Sequence, residues 1–191
     1  MHCPPPATPD AVPFFTAQGA AFGLDLSACI QRVLEQGQFV LGPQVRAFET
    51  AFADYVGAAH AIGVANGTDA LTLALRALGV GPGQRVATAA NAGYYASTAI
   101  AHVGAVAQYV EVDEDSLPLS PATLAQALRG ADKPAAVIAT HLYGRMADMP
   151  ALAALCAQAR VPLVEDAAQA HGAILGGRKA GAWGNVACFS F

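Results

Sequence analysis

The sequence predicts a three-layer α/β/α fold on a mostly parallel sheet, and three observations carry that prediction. From Ala61 onward short apolar runs alternate with helical patterns, the order that yields a parallel sheet covered on both faces. The apolar fraction is 54% but the aromatic fraction only 7%, so most buried side chains are small, which suits helices packed closely on a sheet. At 191 residues the chain is long enough for one core burying about 70% of the unfolded surface.

Met1 to Pro13 is a proline-rich tail with neither the basic nor the apolar region of a secretory signal. We expect a tail and N-terminal segment over 1–21 and one domain over 22–191. Val45, Phe48, Phe52 and Val56 recur at helical spacing behind Gly42-Pro43, marking a helix opened by proline. The run Ala61 to Ala65 reads as a strand ending at Asn66-Gly67-Thr68, and Leu71, Ala74, Leu75 and Leu78 then read as a helix. The unit repeats as strand Arg85 to Thr88, helix Tyr95 to Val103, strand Val106 to Val112, helix Pro121 to Leu128, strand Ala135 to Thr140 and helix Met149 to Ala159. Strand Pro162 to Glu165 follows, then a hairpin at Gly176-Gly177, and strand Val186 to Ser190 closes the chain.

Composition excludes several functions. A net charge of −4 leaves nothing to neutralise a run of phosphates, so nucleic acid is not an expected partner. Cys3, Cys29, Cys156 and Cys188 lie far apart, with no C-x-x-C or Cys/His spacing, so neither a disulfide framework nor a metal site is expected. Reduced cysteines and apolar runs far short of the ~20 residues a membrane helix needs give the expectation of a cytoplasmic protein without a membrane span. Gly79-Val80-Gly81-Pro82-Gly83 follows a helix and lacks the third glycine of a dinucleotide fingerprint, and neither a P-loop nor a G-x-S-x-G motif occurs.

In such sheets ligands bind beyond the carboxyl ends of the strands. At Asn66-Gly67-Thr68-Asp69 a glycine lets backbone approach a ligand, Thr68 can cap the helix, and the helix N-terminus offers free amides to a phosphate; an ordinary N-cap looks the same. At Glu165-Asp166-Ala167-Ala168-Gln169-Ala170-His171-Gly172 an acid ends a strand and could hold a protonated ring nitrogen, or could be a solvated strand end beside a satisfied histidine. The loop His141-Leu142-Tyr143-Gly144-Arg145 could line a substrate pocket, or Tyr143 could be packing and Arg145 a surface charge.

Five segments in order, Gly37 to Pro43, Asn66 to Leu71, His141 to Gly144, Val164 to Gly172 and Cys188-Phe189-Ser190-Phe191, resemble the sugar-nucleotide aminotransferase family (DegT/StrS type) over nearly the whole chain from Phe22. The resemblance implies the large domain of a transferase dependent on pyridoxal 5'-phosphate (PLP), a homodimer that passes an amino group from a donor such as glutamate to a keto sugar nucleotide. It also implies that Gly67, Thr68 and Ser190 hold the cofactor phosphate, that Asp166 pairs with the pyridine nitrogen, and that Gln169 contacts the ring near its oxygen. His171 is placed behind this first layer. The family's stacking aromatic falls at Asn91-Ala92-Gly93-Tyr94-Tyr95, with Tyr94 expected to stack and Tyr95 as the alternative.

The family's Schiff-base lysine lies a few residues beyond the position matched by Phe191. Of the two lysines present, Lys133 enters a strand at the edge away from the ligand and Lys179 sits in the hairpin. No catalytic residue is therefore expected within the chain, and the 191 residues alone are expected to lack transaminase activity, with an open sheet edge and uncovered apolar surface. Two further readings stay open: a PLP-dependent sugar dehydratase of the same family, with histidine in place of the lysine, and a non-catalytic fragment. Turnover of a keto sugar by the purified 191-residue chain would overturn the expected inactivity.

Overall fold

The computed structural model describes residues 25–114 and 116–191, so the proline-rich tail, Cys3 and the expected boundary between residues 21 and 22 lie outside the described residues. In chain order the elements are α1 (Leu26–Gln36), α2 (Pro43–Val56), α3 (Gly67–Ala77), β1 (Arg85–Ala89), α4 (Tyr95–His102), β2 (Val106–Val110), α5 (Pro121–Arg129), β3 (Ala136–Thr140), α6 (Met149–Ala159), β4 (Leu163–Asp166), β5 (Ile174–Leu175), β6 (Arg178–Lys179) and β7 (Val186–Cys188). Five of the strands form one sheet, every pair parallel, in the order β2-β1-β3-β4-β7. The remaining two, β5 and β6, make the expected antiparallel hairpin.

Strand periodicity divides the core in two, because successive residues point to opposite faces. Val86, Ile138, Val164 and Cys188 face one side and pack with Leu71 and Leu75 of α3 and Ala99 and Ile100 of α4. Ala87, Val137, Ala139 and Leu163 face the other and meet Leu124 and Leu128 of α5 and Leu152 and Cys156 of α6. With helices on both faces, the central strands read as continuous apolar runs rather than alternating ones.

Helix starts follow local chemistry. The Asn66 side chain accepts from the Asp69 amide at 2.9 Å and caps α3, and Asp148 accepts from Ala151 at 3.2 Å and caps α6. Proline opens α5 at Pro121, where no intrahelical donor is lost. Among the described residues no helix is long and apolar enough to cross a membrane.

By its internal packing the chain divides into residues 1–47 and residues 48–191. In the first unit, Asp25 caps α1 by accepting from Ala28 at 3.0 Å, and Gly37 ends it in a left-handed turn, φ 65°. A side chain at Gly42 would meet the Gln38 carbonyl at 2.7 Å, so the turn into α2 needs glycine there.

Three expectations are corrected. Ala61 to Ala65 is not a strand: no described strand lies beside it, Ile62 is 80% exposed, and the Gly63 amide goes instead to the Glu49 carboxylate at 2.7 Å. Apolar residues become a strand only when a neighbour takes up their backbone groups. The helix α1, whose Leu26, Ile30 and Leu34 are one turn apart, escaped the sequence reading, and none of its residues is buried. The last strand stops at Cys188, where the Cys188 carbonyl accepts from the Ala167 amide at 2.8 Å and the chain leaves the ladder.

Leu124 is fully buried on the inner face of α5, so Leu124→Ala is expected to lower the stability to unfolding by about 2–5 kcal/mol, whereas Ile138→Val in β3 should lose about 0.5–1.5 kcal/mol. Urea denaturation of both variants checks the ranking.

Candidate functional site

The carboxyl ends of β3, β4 and β7 lie abreast. Thr140 is opposite Asp166 and Asp166 is opposite Cys188 in the parallel register. All three follow, by two residues, a residue packed under α3 and α4, so they share that face of the sheet. Asp166 is buried and its carboxylate receives little: the Ala168 amide at 3.3 Å and the Thr140 hydroxyl at 3.4 Å. Burial therefore pushes the Asp166 carboxyl above its ordinary range, against the pull of those two donors and of His141. The same burial, with Asp166 adding to it, raises the Cys188 thiol to about 12 and leaves it an inert neighbour.

Two residues past β7, Ser190 meets the start of α3. A side chain built on Gly67 would lie 3.1 Å from the Ser190 Cβ and 3.5 Å from its Oγ, so the glycine lets the two segments touch. The amides of Gly67 and Thr68 precede the first intrahelical bond, from Ala70 to the Asn66 carbonyl, and are left without an intrahelical acceptor at the helix N-terminus. Thr68 does not cap this helix as expected; Asn66 does, because its side chain reaches the third amide, and its Nδ2 also donates to Asp69 at 2.9 Å. A glycine turn, two free amides, two hydroxyls and a buried carboxylate thus occupy one edge of the sheet.

The other expected residues fall on this edge or beside it. Tyr94 starts α4 beyond β1 and is 86% exposed, while the Tyr95 ring folds back over Gly93, where a side chain would strike it at 2.7 Å. Gln169 is exposed, and its Oε1 accepts from the Tyr143 amide at 2.9 Å, holding Tyr143 in a left-handed conformation with φ 54°. His171 lies between rings, its centroid 5.3 Å from Phe189 and 4.7 Å from Phe191, and burial holds its pKa below the ordinary histidine range. Of the lysines, Lys133 donates to the Ala159 carbonyl at 2.6 Å beside the amino end of β3, and Lys179 lies over the Tyr55 ring at 3.7 Å and donates to the Tyr55 carbonyl.

Glu165 and Asp166 are neighbours in sequence with opposite environments. Glu165 points to the α5/α6 face, is wholly buried, and accepts from His141 Nε2 at 3.1 Å, Gly181 at 2.9 Å, and Trp183 and Gly184 at 2.7 Å each. His141 Nδ1 accepts from the Ala147 amide at 3.3 Å, which leaves the ring proton on Nε2, facing Glu165. Desolvation raises the Glu165 carboxyl, but the bonds from His141, Gly184, Gly181 and Trp183 together outweigh it and hold the group below the carboxylate range. Sequence reasoning missed this pairing, because His141 and Glu165 are 24 residues apart. It also missed Thr140, which only the register brings to Asp166.

A profile described as the DegT/DnrJ/EryC1/StrS aminotransferase family matches residues 24–191. The chain is 42% identical over 182 residues to the dTDP-3-amino-3,4,6-trideoxy-alpha-D-glucose transaminase of Streptomyces venezuelae, covering 94% of this chain and 48% of that protein. It is 42% identical over 166 residues to the UDP-2-acetamido-2-deoxy-3-oxo-D-glucuronate aminotransferase of Pseudomonas aeruginosa, covering 87% and 46%. Among solved structures, S. venezuelae DesV in complex with a ketimine intermediate superposes with a TM-score of 0.87 at 42% identity, over 94% of this chain and 48% of that one. The chain spans about half the length of the curated relatives it matches.

Because Asp166 has a raised carboxyl pKa, its ionisation opposes folding: the penalty is absent below the unfolded value and grows as pH rises through the folded one. Asp166→Asn is therefore expected to show a higher urea midpoint than the unsubstituted chain at pH 7, a gain that vanishes near pH 3. Urea titrations of the two ligand-free proteins at both pH values measure it.

Proposed function

This chain belongs to the DegT/DnrJ/EryC1/StrS aminotransferase family, and from that premise we propose that it forms the PLP-holding part of an aminotransferase that passes an amino group from a donor such as glutamate to a keto sugar nucleotide. The observation that carries this reading is the contact of Gly67 with Ser190 on the sheet edge where Asp166 ends β4. The reading brings with it a cytoplasmic homodimer and a single cofactor domain over 22–191.

The residues present fit PLP. A phosphate suits the Gly67 and Thr68 amides and the Thr68 and Ser190 hydroxyls, with the helix dipole favouring its charge. The seat is shaped by the absence of a side chain at Gly67, since a methyl there would come within 3.1 Å of Ser190. Asp166, buried and lightly hydrogen-bonded, would gain in a protonated ring nitrogen a positive partner that favours its carboxylate form, and would thereby hold the proton on that nitrogen. Tyr94, free of the packing that occupies Tyr95, is available to lie against a ring, and the Gln169 Nε2 amide nitrogen remains free to donate to a ring oxygen while Oε1 accepts from Tyr143. When bound, PLP supplies an electron sink for the carbon from which a proton is removed.

Titrating PLP into the purified chain and following its absorption band is expected to give saturable binding, with Gly67→Ala weakening it by about tenfold, roughly 1.4 kcal/mol. In an enzyme completed to the length of its relatives, Asp166→Ala should abolish transamination while leaving the circular dichroism unchanged. Near-normal turnover by that variant would remove Asp166 from the site.

A further inference from the structure

Glu165 occupies the position next to Asp166 but takes no part in the edge just described. Its carboxylate is wholly buried and, among the described residues, pairs with no lysine or arginine; the four donors found there come from two turns, residues 141–147 and residues 181–184. We propose that Glu165 is a positioning residue for the cofactor site, clamping from behind the sheet the two turns that bracket Asp166 and thereby fixing where Ser190 meets Gly67. This rests on the reading of that edge as a PLP site.

Two arms run from the carboxylate. Oε2 takes the Nε2 hydrogen of His141, whose other nitrogen takes the Ala147 amide, so the turn that carries Tyr143 is held at both ends. Tyr143 is in turn tied to Gln169 on the cofactor edge. The second arm is the tighter one. Gly181, Trp183 and Gly184 direct their amides at Glu165, and the Asn185 side chain and backbone bond to Leu163 at 2.9 and 2.8 Å immediately before β7 begins.

Two glycines show how closely this turn is drawn in. A side chain on Gly184 would meet the Leu163 carbonyl at 2.7 Å and the Glu165 Cγ at 3.3 Å, and one on Gly181, at φ 93°, would strike the Phe189 ring at 2.7 Å. The turn therefore touches both the strand that carries Asp166 and the residue before Ser190. Only three residues of β7 pair with β4, so the turn that launches the strand contributes, with that short ladder, to where Ser190 arrives. Glutamine cannot replace the carboxylate there. Each oxygen of Glu165 faces N–H donors, and an amide nitrogen in either place would oppose them.

The chain has a single tryptophan, Trp183, inside the clamped turn, and its emission reports the turn directly. The test titrates the purified chain and Glu165→Gln with PLP and with pyridoxal, which lacks the phosphate, following cofactor absorbance and Trp183 emission, with circular dichroism confirming that both are folded. The expected result is a PLP affinity weakened at least tenfold, a pyridoxal affinity changed less than threefold, and a red-shifted Trp183 emission before ligand is added. A folded variant that binds PLP within threefold of the unsubstituted chain overturns the proposal. Failure of the unsubstituted chain to bind PLP sinks the underlying reading of the edge and this proposal with it. Should Glu165→Gln not fold, amide exchange of the unsubstituted chain decides: the Gly181, Trp183 and Gly184 amides must slow at saturating PLP more than those of α5, and equal protection overturns the assignment.

Discussion

Parallel pairing of β3, β4 and β7 sets Thr140, Asp166 and Cys188 side by side, and the chemistry of the molecule depends on that register. A slip of one residue would turn Asp166 to the α5/α6 face and bring Glu165 to the α3/α4 face. Apolar partners on both faces forbid it, since Val164 is buried under α3 and α4 while Leu163 is buried under α5 and α6. The hydrophobic effect thus decides which of two adjacent acids lies on the edge proposed to hold the cofactor, without any contribution from the acids themselves.

That division explains how two neighbouring carboxylates come to differ. Glu165 is surrounded by four N–H groups and is held anionic below the carboxylate range. Asp166 is also buried but has a hydroxyl and one amide, and its carboxyl is held high. A nearby cation would relieve the penalty that the fold imposes on a group in the second condition, which is what the proposed pairing with a ring nitrogen supplies. Glu165 is already satisfied and is suited to holding structure.

The half-length coverage of the relatives gives this architecture a particular character. The phosphate seat proposed at α3 and the ring-nitrogen partner proposed at β4 are built entirely from local turns and the parallel register, all within residues 66–190. Around them lie apolar side chains that the described residues leave uncovered, Ile62 at 80% and Phe191 at 82% exposure among them. Phe191 nevertheless packs edge-on against Phe48 and Phe52, so the segment after β7 that carries Ser190 is anchored to α2.

The sequence by itself determined the alternation of strands and helices and the residue types offered at the carboxyl ends of the strands, because period, turn chemistry and strand ends are local properties. Asn66-Gly67-Thr68 and Glu165-Asp166 were legible for that reason, although not which of Asn66 and Thr68 would cap the helix. Only the tertiary structure decided that Ala61 to Ala65 pairs with no described strand, that Ser190 lies against Gly67, and that His141 closes on Glu165. Those outcomes depend on which distant backbone and side-chain groups are present to satisfy one another, and strand pairing and buried hydrogen bonds are settled by neighbours in space that no local pattern encodes.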